Sequence, residues 1–243
     1  MGYSIKRLRP VTRKLAGSGR AAQASQIRAM LHAEDPYAGF DPALFPEDLQ
    51  GWGHESAAFS ELVAAVKPKL IVEVGTWKGA SAIRMAEEAV RHGVDAQILC
   101  VDTWLGALEF WTNQEEPERY QSLKLKNGFP QVYFQFLANV CHRGHQARII
   151  PFPQTSSTGA LWLRYYGFTA ELIYLDASHE EDDVYGDLVA YWEVLAPGGV
   201  LFGDDWAWDG VRLSVLRFAR EMDIMFRFVA DKWVLDKPRK PQE

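Results

Sequence analysis

Short apolar runs alternate with helix-like segments along most of the chain after residue 53. The runs are rich in Val, Ile and Leu and occupy residues 70–74, 98–102, 147–152, 172–176 and 200–204. Between several of them the apolar spacing is that of an amphipathic helix, as at residues 54–66, 80–91 and 182–195. Nearly continuous apolar strands are typical of parallel sheets that are covered on both faces. The pattern therefore predicts an α/β fold with a doubly wound, mostly parallel sheet and helices on both faces.

Two segments depart from this alternation. Near the C-terminus, residues 225–229 and 233–236 flank a short Ala-Asp-Lys turn, which predicts a closing antiparallel hairpin. Residues 103–146 form a long aromatic and polar insertion between two predicted strands, and such connections usually cover or shape a site. We predict a body of residues 54–243 with a cap-like insertion at 103–146. An arm and a Pro- and Gly-rich connecting loop precede it in residues 1–53.

Composition limits the class of protein. The chain has 243 residues, of which 48% are hydrophobic and 24% charged, so disordered, collagen-like and coiled-coil classes are excluded. The two cysteines, Cys100 and Cys141, are too few for a disulfide scaffold and predict reduced thiols in a cytoplasmic protein. Because no apolar stretch reaches the length of a membrane span, none is expected.

The net charge of −6 is unevenly distributed. Residues 1–30 carry no acid but hold Lys6, Arg7, Arg9, Arg13, Lys14, Arg20 and Arg28. The strongly acidic remainder argues against nucleic acid as the main partner. We favour a mobile or partner-binding arm, although an Arg-rich start also fits a transit peptide. N-myristoylation is excluded because Lys6 stands where Ser or Thr is required.

A glycine-containing turn follows the first predicted strand. It runs Glu73, Val74, Gly75, Thr76, Trp77, Lys78, Gly79, Ala80, Ser81. Gly75 and Gly79 allow a sharp turn close to a ligand, and the following helix offers free N–H groups. Glu73 replaces the first glycine of the dinucleotide fingerprint, and its charge would repel a pyrophosphate but suit an ammonium or sulfonium group. Taken alone, the turn fits a purely structural role equally well.

Polar residues also follow the next two strands. Asp102 ends the second strand, where a carboxylate suits two ribose hydroxyls, or alternatively a helix cap. Thr103 lies beside it. Gln154, Thr155 and Ser156 follow the third strand and could meet an adenine edge, although a polar loop describes them equally well.

The strongest signal is a set of three carboxylates. Asp176 ends the fourth strand, and Asp204 and Asp205 follow the fifth, so a right-handed crossover places all three on one sheet edge. Each pair of like charges about 4 Å apart would cost on the order of 4 kcal/mol at an effective dielectric near 20. A divalent cation would remove this conflict, and oxygen-only ligands favour Mg²⁺, with Mn²⁺ or Ca²⁺ as alternatives.

His179 stands three residues beyond Asp176. A lone His is more often a surface residue or a cap, but beside such a cluster it becomes a candidate general base. The acidic run 180–183 and Asp209 are interpreted as helix starts. Trp206 and Trp208 either line an acceptor pocket or simply pack.

Together these residues resemble the class I S-adenosylmethionine-dependent methyltransferases over residues 55–236. They are most similar to the metal-dependent small-molecule O-methyltransferases, in the branch of the macrolide sugar O-methyltransferases and cephalosporin hydroxylase-type proteins. Glu73-Val-Gly75-x-x-x-Gly79, Leu195-x-Pro197-Gly198-Gly199 and the acid at 102 are shared by class I enzymes generally. The pattern of Asp176-x-x-His179 with Asp204-Asp205 is much more specific to the metal-dependent branch.

The resemblance implies a seven-stranded sheet of order 3-2-1-4-5-7-6 and a homo-oligomer. It implies a methyl transfer to a hydroxyl of a sugar, a phenol or a natural-product intermediate, with Mg²⁺ on Asp176, Asp204 and Asp205 and with His179 as the base. The residues assigned to S-adenosylmethionine are Glu73, Gly75, Thr76, Gly79, Ser81, Asp102, Thr103, Gln154, Thr155, Ser156 and Asp176.

Three other functions remain open. The same fold could serve a cofactor-binding partner or regulatory subunit without turnover, although the intact acids and His179 argue against it. A nicotinamide-dependent oxidoreductase conflicts with Glu73 and with the missing G-x-G-x-x-G pattern. Methylation of nucleic acid conflicts with the acidic body.

Overall fold

A computed structural model describes residues 20–112 and 117–239. Within these residues the strands form a single sheet of order β3-β2-β1-β4-β5-β7-β6. The strands β1 to β7 span Leu70–Val74, Gln97–Asp102, Ile149–Pro153, Ala170–Leu175, Leu195–Gly203, Phe226–Val229 and Lys232–Asp236. The first five are parallel, and β7 runs antiparallel to both β5 and β6. The predicted strand order and hairpin are therefore confirmed.

Helices connect the strands and cover the sheet. In the described part of the chain, α1 to α9 span Arg20–Leu31, Ala57–Val66, Ala80–Arg91, Leu108–Thr112, Pro117–Ser122, Val132–His142, Ser156–Tyr166, Glu181–Val194 and Asp209–Glu221. A 3₁₀ turn occupies Pro42–Leu44. As predicted, α8 begins in the acidic run and α9 begins at Asp209, where acids favour the positive end of a helix dipole.

Two hydrophobic cores lie on opposite faces of the sheet. Because successive side chains of a strand point to opposite faces, Ile71 packs in the core beneath α2, α3 and α6, whereas Val72 packs in the other. That second core holds apolar side chains of α1, α7, α8 and α9, such as Ile27 and Leu188. All five residues of β1 are buried. This burial explains why the strand has an almost continuous apolar sequence.

The N-terminal segment joins the body more closely than the sequence predicts. Arg28 donates hydrogen bonds from Nη2 to the carbonyl oxygens of Gln146 and Ile149, at 2.7 and 3.0 Å. The Tyr37 hydroxyl also donates to the oxygen of Ile149, at 3.2 Å. These donors satisfy backbone groups at β3, the edge strand of the sheet. Arg28 is thus a packed residue and does not belong to a free arm. Lys6, Arg7, Arg9, Arg13 and Lys14 lie outside the described residues.

No helix among the described residues is both long and apolar enough to cross a bilayer.

Candidate active site at the carboxyl edge of the sheet

The carboxyl ends of the parallel strands gather the predicted residues along one edge. In the register of the sheet, Val74 lies beside both Val101 and Leu175, and Leu175 lies beside Gly203. The residues that follow these strand ends therefore share an edge, which is where ligands bind in open α/β sheets.

The turn after β1 lies directly against the end of β4. Gly75 has φ +81°, and a Cβ there would overlap the carbonyl oxygen of Asp176. Gly79 has φ +87°, and a Cβ there would lie 2.8 Å from the ring of Phe136. Only glycine fits at position 75, because the backbone there is left-handed and neighbouring backbone atoms fill the space that a Cβ would occupy. The geometry explains the glycine by the sharp turn and by the backbone of Asp176, and the predicted close approach to a ligand stays a prediction.

Glu73 supports this turn from inside the protein. Its side chain is buried and accepts hydrogen bonds from the Thr76 hydroxyl, at 2.9 Å, and from the Ser81 hydroxyl. Burial raises the pKa of Glu73 to about 7, and the hydroxyl donors only partly oppose this rise. The resemblance implies that Glu73 holds the methionine portion of a cofactor. Its oxygens instead face Thr76 and Ser81, so Glu73 positions the turn.

Asp102 also holds the turn. Its Oδ2 accepts hydrogen bonds from the backbone N–H groups of Thr76 and Trp77, each at 2.8 Å, and its Oδ1 accepts one from Trp104, at 2.7 Å. Burial raises the pKa of Asp102, while these backbone donors lower it. The backbone N–H of Thr103 is a fourth donor to this carboxylate. The predicted ribose contact stays a prediction.

The remaining candidates for cofactor binding have local partners. Thr103 accepts the N–H of Leu105 at 3.2 Å, and Thr155 caps α7 by accepting the N–H of Thr158, also at 3.2 Å. Gln154 is exposed, and its N–H donates to the Asp102 carbonyl at 3.0 Å. Ser156 forms a side-chain hydrogen bond with Asp187, whose pKa burial raises to about 6. The side chain of Gln154 is thus the one most available to an adenine edge.

The three predicted metal ligands are each engaged by a different protein group. Asp176 accepts the hydroxyl of Tyr174 at 3.0 Å, and Asp205 accepts from His179 Nε2 at 2.8 Å. Asp204 pairs through Oδ2 with the ammonium group of Lys232. Burial and the neighbouring carboxylates raise the pKa of Asp176 well above its ordinary value. Asp176 and Asp205 also share a side-chain hydrogen bond, so Lys232, His179 and this shared hydrogen bond together relieve the charge conflict expected among the acids.

The donor set as placed does not fit a divalent metal ion. Across residues 20–112 and 117–239, no three His, Cys, Asp or Glu side chains are grouped as metal ligands. The second oxygen of Asp204 accepts the N–H of Asp205 at 2.8 Å, so both of its oxygens have protein donors. Mg²⁺ dependence stays a prediction that this arrangement does not support.

His179 is held on three sides. Nε2 lies 2.8 Å from Asp205 Oδ2, Nδ1 lies 3.6 Å from Glu109 Oε1, and Trp208 stacks on the ring at a centroid distance of 4.5 Å. Burial lowers the pKa of His179, but the hydrogen bond and charge of Asp205 and the charge of Glu109 outweigh it, so the pKa lies above its ordinary value. Because the side chain is 19% exposed, a small molecule can still reach it.

The insertion lies beside His179 and the turn. Its helix α4 carries Glu109 towards His179, and Phe110 packs against Trp77 of the turn at 4.5 Å between ring centroids. Arg119 of α5 lies 5.2 Å from the ring of Trp52 in the connecting loop. These contacts make an aromatic wall beside the turn from three distant parts of the chain.

Three residues of the site, Glu109, Lys78 and Lys232, were not predicted from the sequence. Lys78 is buried within the turn and pairs with Asp48 of the connecting loop at 2.9 Å. Lys124 of the insertion binds the same Asp48 oxygen at 3.0 Å. The one local signal for Lys78 is its place within the glycine turn, while Glu109 and Lys232 depend on contacts between distant segments.

Comparison with known proteins decides the family. A family model described as "Methyltransferase domain" matches residues 72–206, from β1 through the residues that follow β5. The chain belongs to the methyltransferase domain family. A search of curated proteins found no match. The prediction of a methyltransferase is confirmed, and the match includes Gly75, Asp102, His179 and Asp204.

Solved structures share the fold of this methyltransferase. The O-methyltransferase TomG from Streptomyces achromogenes has a TM-score of 0.55 at 13% identity, with 90% of this chain and 96% of that chain covered. For the O-methyltransferase NovP the TM-score is 0.53 at 15% identity, with 90% and 98% covered. For CalS11, a TDP-rhamnose 3′-O-methyltransferase, it is 0.52 at 15% identity, with 89% and 92% covered. At these identities the similarity shows the fold.

Proposed function

We propose that this methyltransferase transfers the methyl group of S-adenosylmethionine to a hydroxyl of a small-molecule acceptor. The observation that carries the proposal is the meeting of the Gly75 turn with the end of β4, three residues before His179. A cofactor turn and a candidate base thereby share one edge of the sheet. The O-methyltransferases TomG, NovP and CalS11 have the same fold, which supports the choice of oxygen as the acceptor atom.

The turn and its surroundings fit the proposed cofactor. Gly75 lets the backbone approach a ligand, Asp102 holds the turn at the end of β2, and Gln154 is exposed at the end of the adjacent strand. Thr76 and Ser81 are oriented by Glu73 and so act with it to shape the turn. When bound, S-adenosylmethionine supplies an electrophilic methyl group on a positively charged sulfur.

His179 is the proposed base, and its partners determine which nitrogen acts. Burial would raise the pKa of Asp205, but the hydrogen bond and charge of His179 outweigh it, so the pKa lies below its ordinary value and the group is a carboxylate. A carboxylate only accepts hydrogen bonds, so Nε2 carries the donated proton. Neutral His179 therefore has its lone pair on Nδ1, and it takes the proton of the acceptor hydroxyl there.

The acceptor surface is aromatic and partly exposed. Trp208, stacked on His179, is 47% exposed, and Trp52 and Trp111 are also exposed. Such surfaces stack equally well on a sugar face or a phenolic ring. We therefore propose a hydroxylated sugar, phenol or natural-product intermediate. Homo-oligomerisation, implied by the resemblance, stays a prediction.

Calorimetry separates this proposal from its alternatives. We expect the protein to bind S-adenosylmethionine and S-adenosylhomocysteine, and to give no binding heat with NAD, because the turn lacks the G-x-G-x-x-G spacing that lets a backbone hold a pyrophosphate. NAD binding without S-adenosylmethionine binding would contradict the proposal. Tight binding of S-adenosylmethionine, together with silence across a broad panel of labelled-methyl acceptors, would identify a non-catalytic partner instead.

A further inference from the structure

We propose that the ammonium group of Lys232 takes the place of the divalent cation at this site, and that the methyltransferase works without a metal ion. In this assignment Lys232 is a positioning residue, because its side chain is fully buried and does not face the acceptor. The inference deepens the proposed function and rests on it for its consequences in catalysis. The position of the cation itself is tested by a measurement that needs no turnover.

The register between β5 and β7 places Lys232 beside Asp204. Gly203, the last residue of β5, lies beside Trp233 of β7, so the preceding residue of β7 falls opposite Asp204. Lys232 pairs there with Asp204 Oδ2, and its Nζ also lies 3.0 Å from Asp231 Oδ2. The Trp233 indole donates to the Asp204 carbonyl at 2.7 Å, which fixes the backbone of the same residue.

The connecting loop closes over this ion pair. Gly53 has φ +64°, and a Cβ there would overlap Asp204 Oδ2 and lie 2.5 Å from Lys232 Nζ. Ser56, which caps α2, donates its hydroxyl to Asp231. The ammonium group therefore sits between two carboxylates and beneath the Gly53 backbone. Mg²⁺ requires six oxygen ligands at about 2.0–2.1 Å in near-octahedral geometry, which this enclosure does not offer beside Lys232.

Lys232 reaches the base through Asp204. The second oxygen of Asp204 accepts the N–H of Asp205, and this hydrogen bond holds the backbone of Asp205 at φ +58°, a left-handed conformation that Asp tolerates better than most residues. Asp205 in turn orients His179. Removing the cation would leave Asp204 unpaired beside Asp176 and Asp205, and three neighbouring carboxylates are hard oxygen ligands for Mn²⁺ or Mg²⁺.

Manganese binding followed by electron paramagnetic resonance tests the assignment in the full-length, chelator-treated protein. We expect the wild type to leave added Mn²⁺ free in solution, and Lys232→Ala to gain a Mn²⁺ site of one-to-one stoichiometry. That site should vanish again in Lys232→Ala/Asp204→Asn. Lys69→Ala is the matched control, because this exposed lysine precedes β1 at the opposite end of the sheet and its loss should create no site.

Two outcomes would overturn the assignment. One is Mn²⁺ binding by the wild type that Asp204→Asn removes, and the other is a folded Lys232→Ala that gains no Mn²⁺ site. If Lys232→Ala does not fold, Lys232→Met, which keeps the apolar stem, takes its place in the titration; if neither variant folds, the wild-type titration decides alone.

Activity gives a second readout of the same proposal. Chelation should leave the methyl-transfer rate of the wild type unchanged, whereas Lys232→Met should lower kcat by roughly 10- to 100-fold, as when other residues that orient a site are removed. A wild-type rate that falls on chelation and returns with Mg²⁺ would contradict the assignment. Absence of any transfer would count against the proposed function, while the Mn²⁺ titration would still test Lys232.

Discussion

We expect His179→Ala to lower kcat for methyl transfer by about 10²–10⁴-fold, the usual contribution of a positioned general base. Affinity for S-adenosylmethionine should be unchanged, because His179 contacts Asp205, Glu109 and Trp208 and none of the turn residues. Initial rates at saturating acceptor, together with calorimetry of the cofactor, separate the two effects. His92→Ala is the matched control, since His92 caps the far end of α3. If His179→Ala kept the full kcat, His179 would not be the general base.

The pH dependence of the wild type and of Asp205→Asn checks the same role independently. A base must be deprotonated to act, so kcat/KM should rise with pH through the pKa of His179, above its ordinary value of 6.5. Asp205→Asn removes the hydrogen-bonded charge that raises this pKa, so the midpoint should move to lower pH. A midpoint that stays in place would mean that His179 does not control the profile.

Gly75→Ala should have the largest effect on the cofactor site. The left-handed backbone at φ +81° is strained for alanine, and the new Cβ would overlap the carbonyl of Asp176, which no side-chain rotation can relieve. Together these costs amount to about 3–5 kcal/mol of the free energy of unfolding. Any folded fraction should also lose affinity for S-adenosylmethionine, because the turn must move away from the end of β4. Chemical denaturation and calorimetry measure the two effects.

Gly93→Ala provides a control with the same backbone penalty and no overlap. Gly93 has φ +63°, and a Cβ added there would meet no atom within 4 Å, so alanine should cost about 1–2 kcal/mol. Cofactor affinity should be unchanged. Equal losses of stability in the two variants would show that the overlap with Asp176 adds nothing to the cost of the left-handed backbone.

Local sequence predicted those strands and helices whose side chains follow a regular pattern of burial. The strand at 70–74 and the helix at 80–91 have the predicted bounds, because an apolar run covered on both faces and an amphipathic helix each leave a clear periodicity. Helix α7 was not predicted. Its sequence, Ser156–Tyr166, places aromatic residues on a partly exposed surface and so weakens the helical pattern.

The sequence predicted only those site residues that directly follow the ends of parallel strands. Asp176, Asp204 and Asp205 were expected to meet, and the partner that pairs with Asp204 was not foreseen. Lys232 belongs to a hairpin whose register against β5 is not encoded locally, so its approach to Asp204 has no sequence signal. The same holds for Gly53, which reaches the ion pair from a loop that the sequence indicated only as a connection.

The negative charge of the three carboxylates is thus balanced by different groups from those that the sequence suggests. Three carboxylates that follow neighbouring strand ends predict a metal ion, because like charges brought together must be compensated. In the structure Lys232 pairs with Asp204, His179 pairs with Asp205, and Tyr174 donates to Asp176. A counter-charge supplied by the chain itself links the fold of the hairpin to the orientation of the proposed base.

The central claim is that this sheet edge moves a methyl group from sulfur to oxygen, and ¹³C-methyl S-adenosylmethionine tests it most directly. The wild-type protein, freed of metal ions, would be incubated with the labelled cofactor and a panel of hydroxylated sugars and phenols, and the products analysed by NMR. We expect a labelled carbon bonded to oxygen in at least one acceptor, with S-adenosylhomocysteine formed in equal amount. Label found only on nitrogen or carbon would contradict the claim, whereas an oxygen-methylated product that forms only after a divalent metal is restored would contradict the assignment of Lys232.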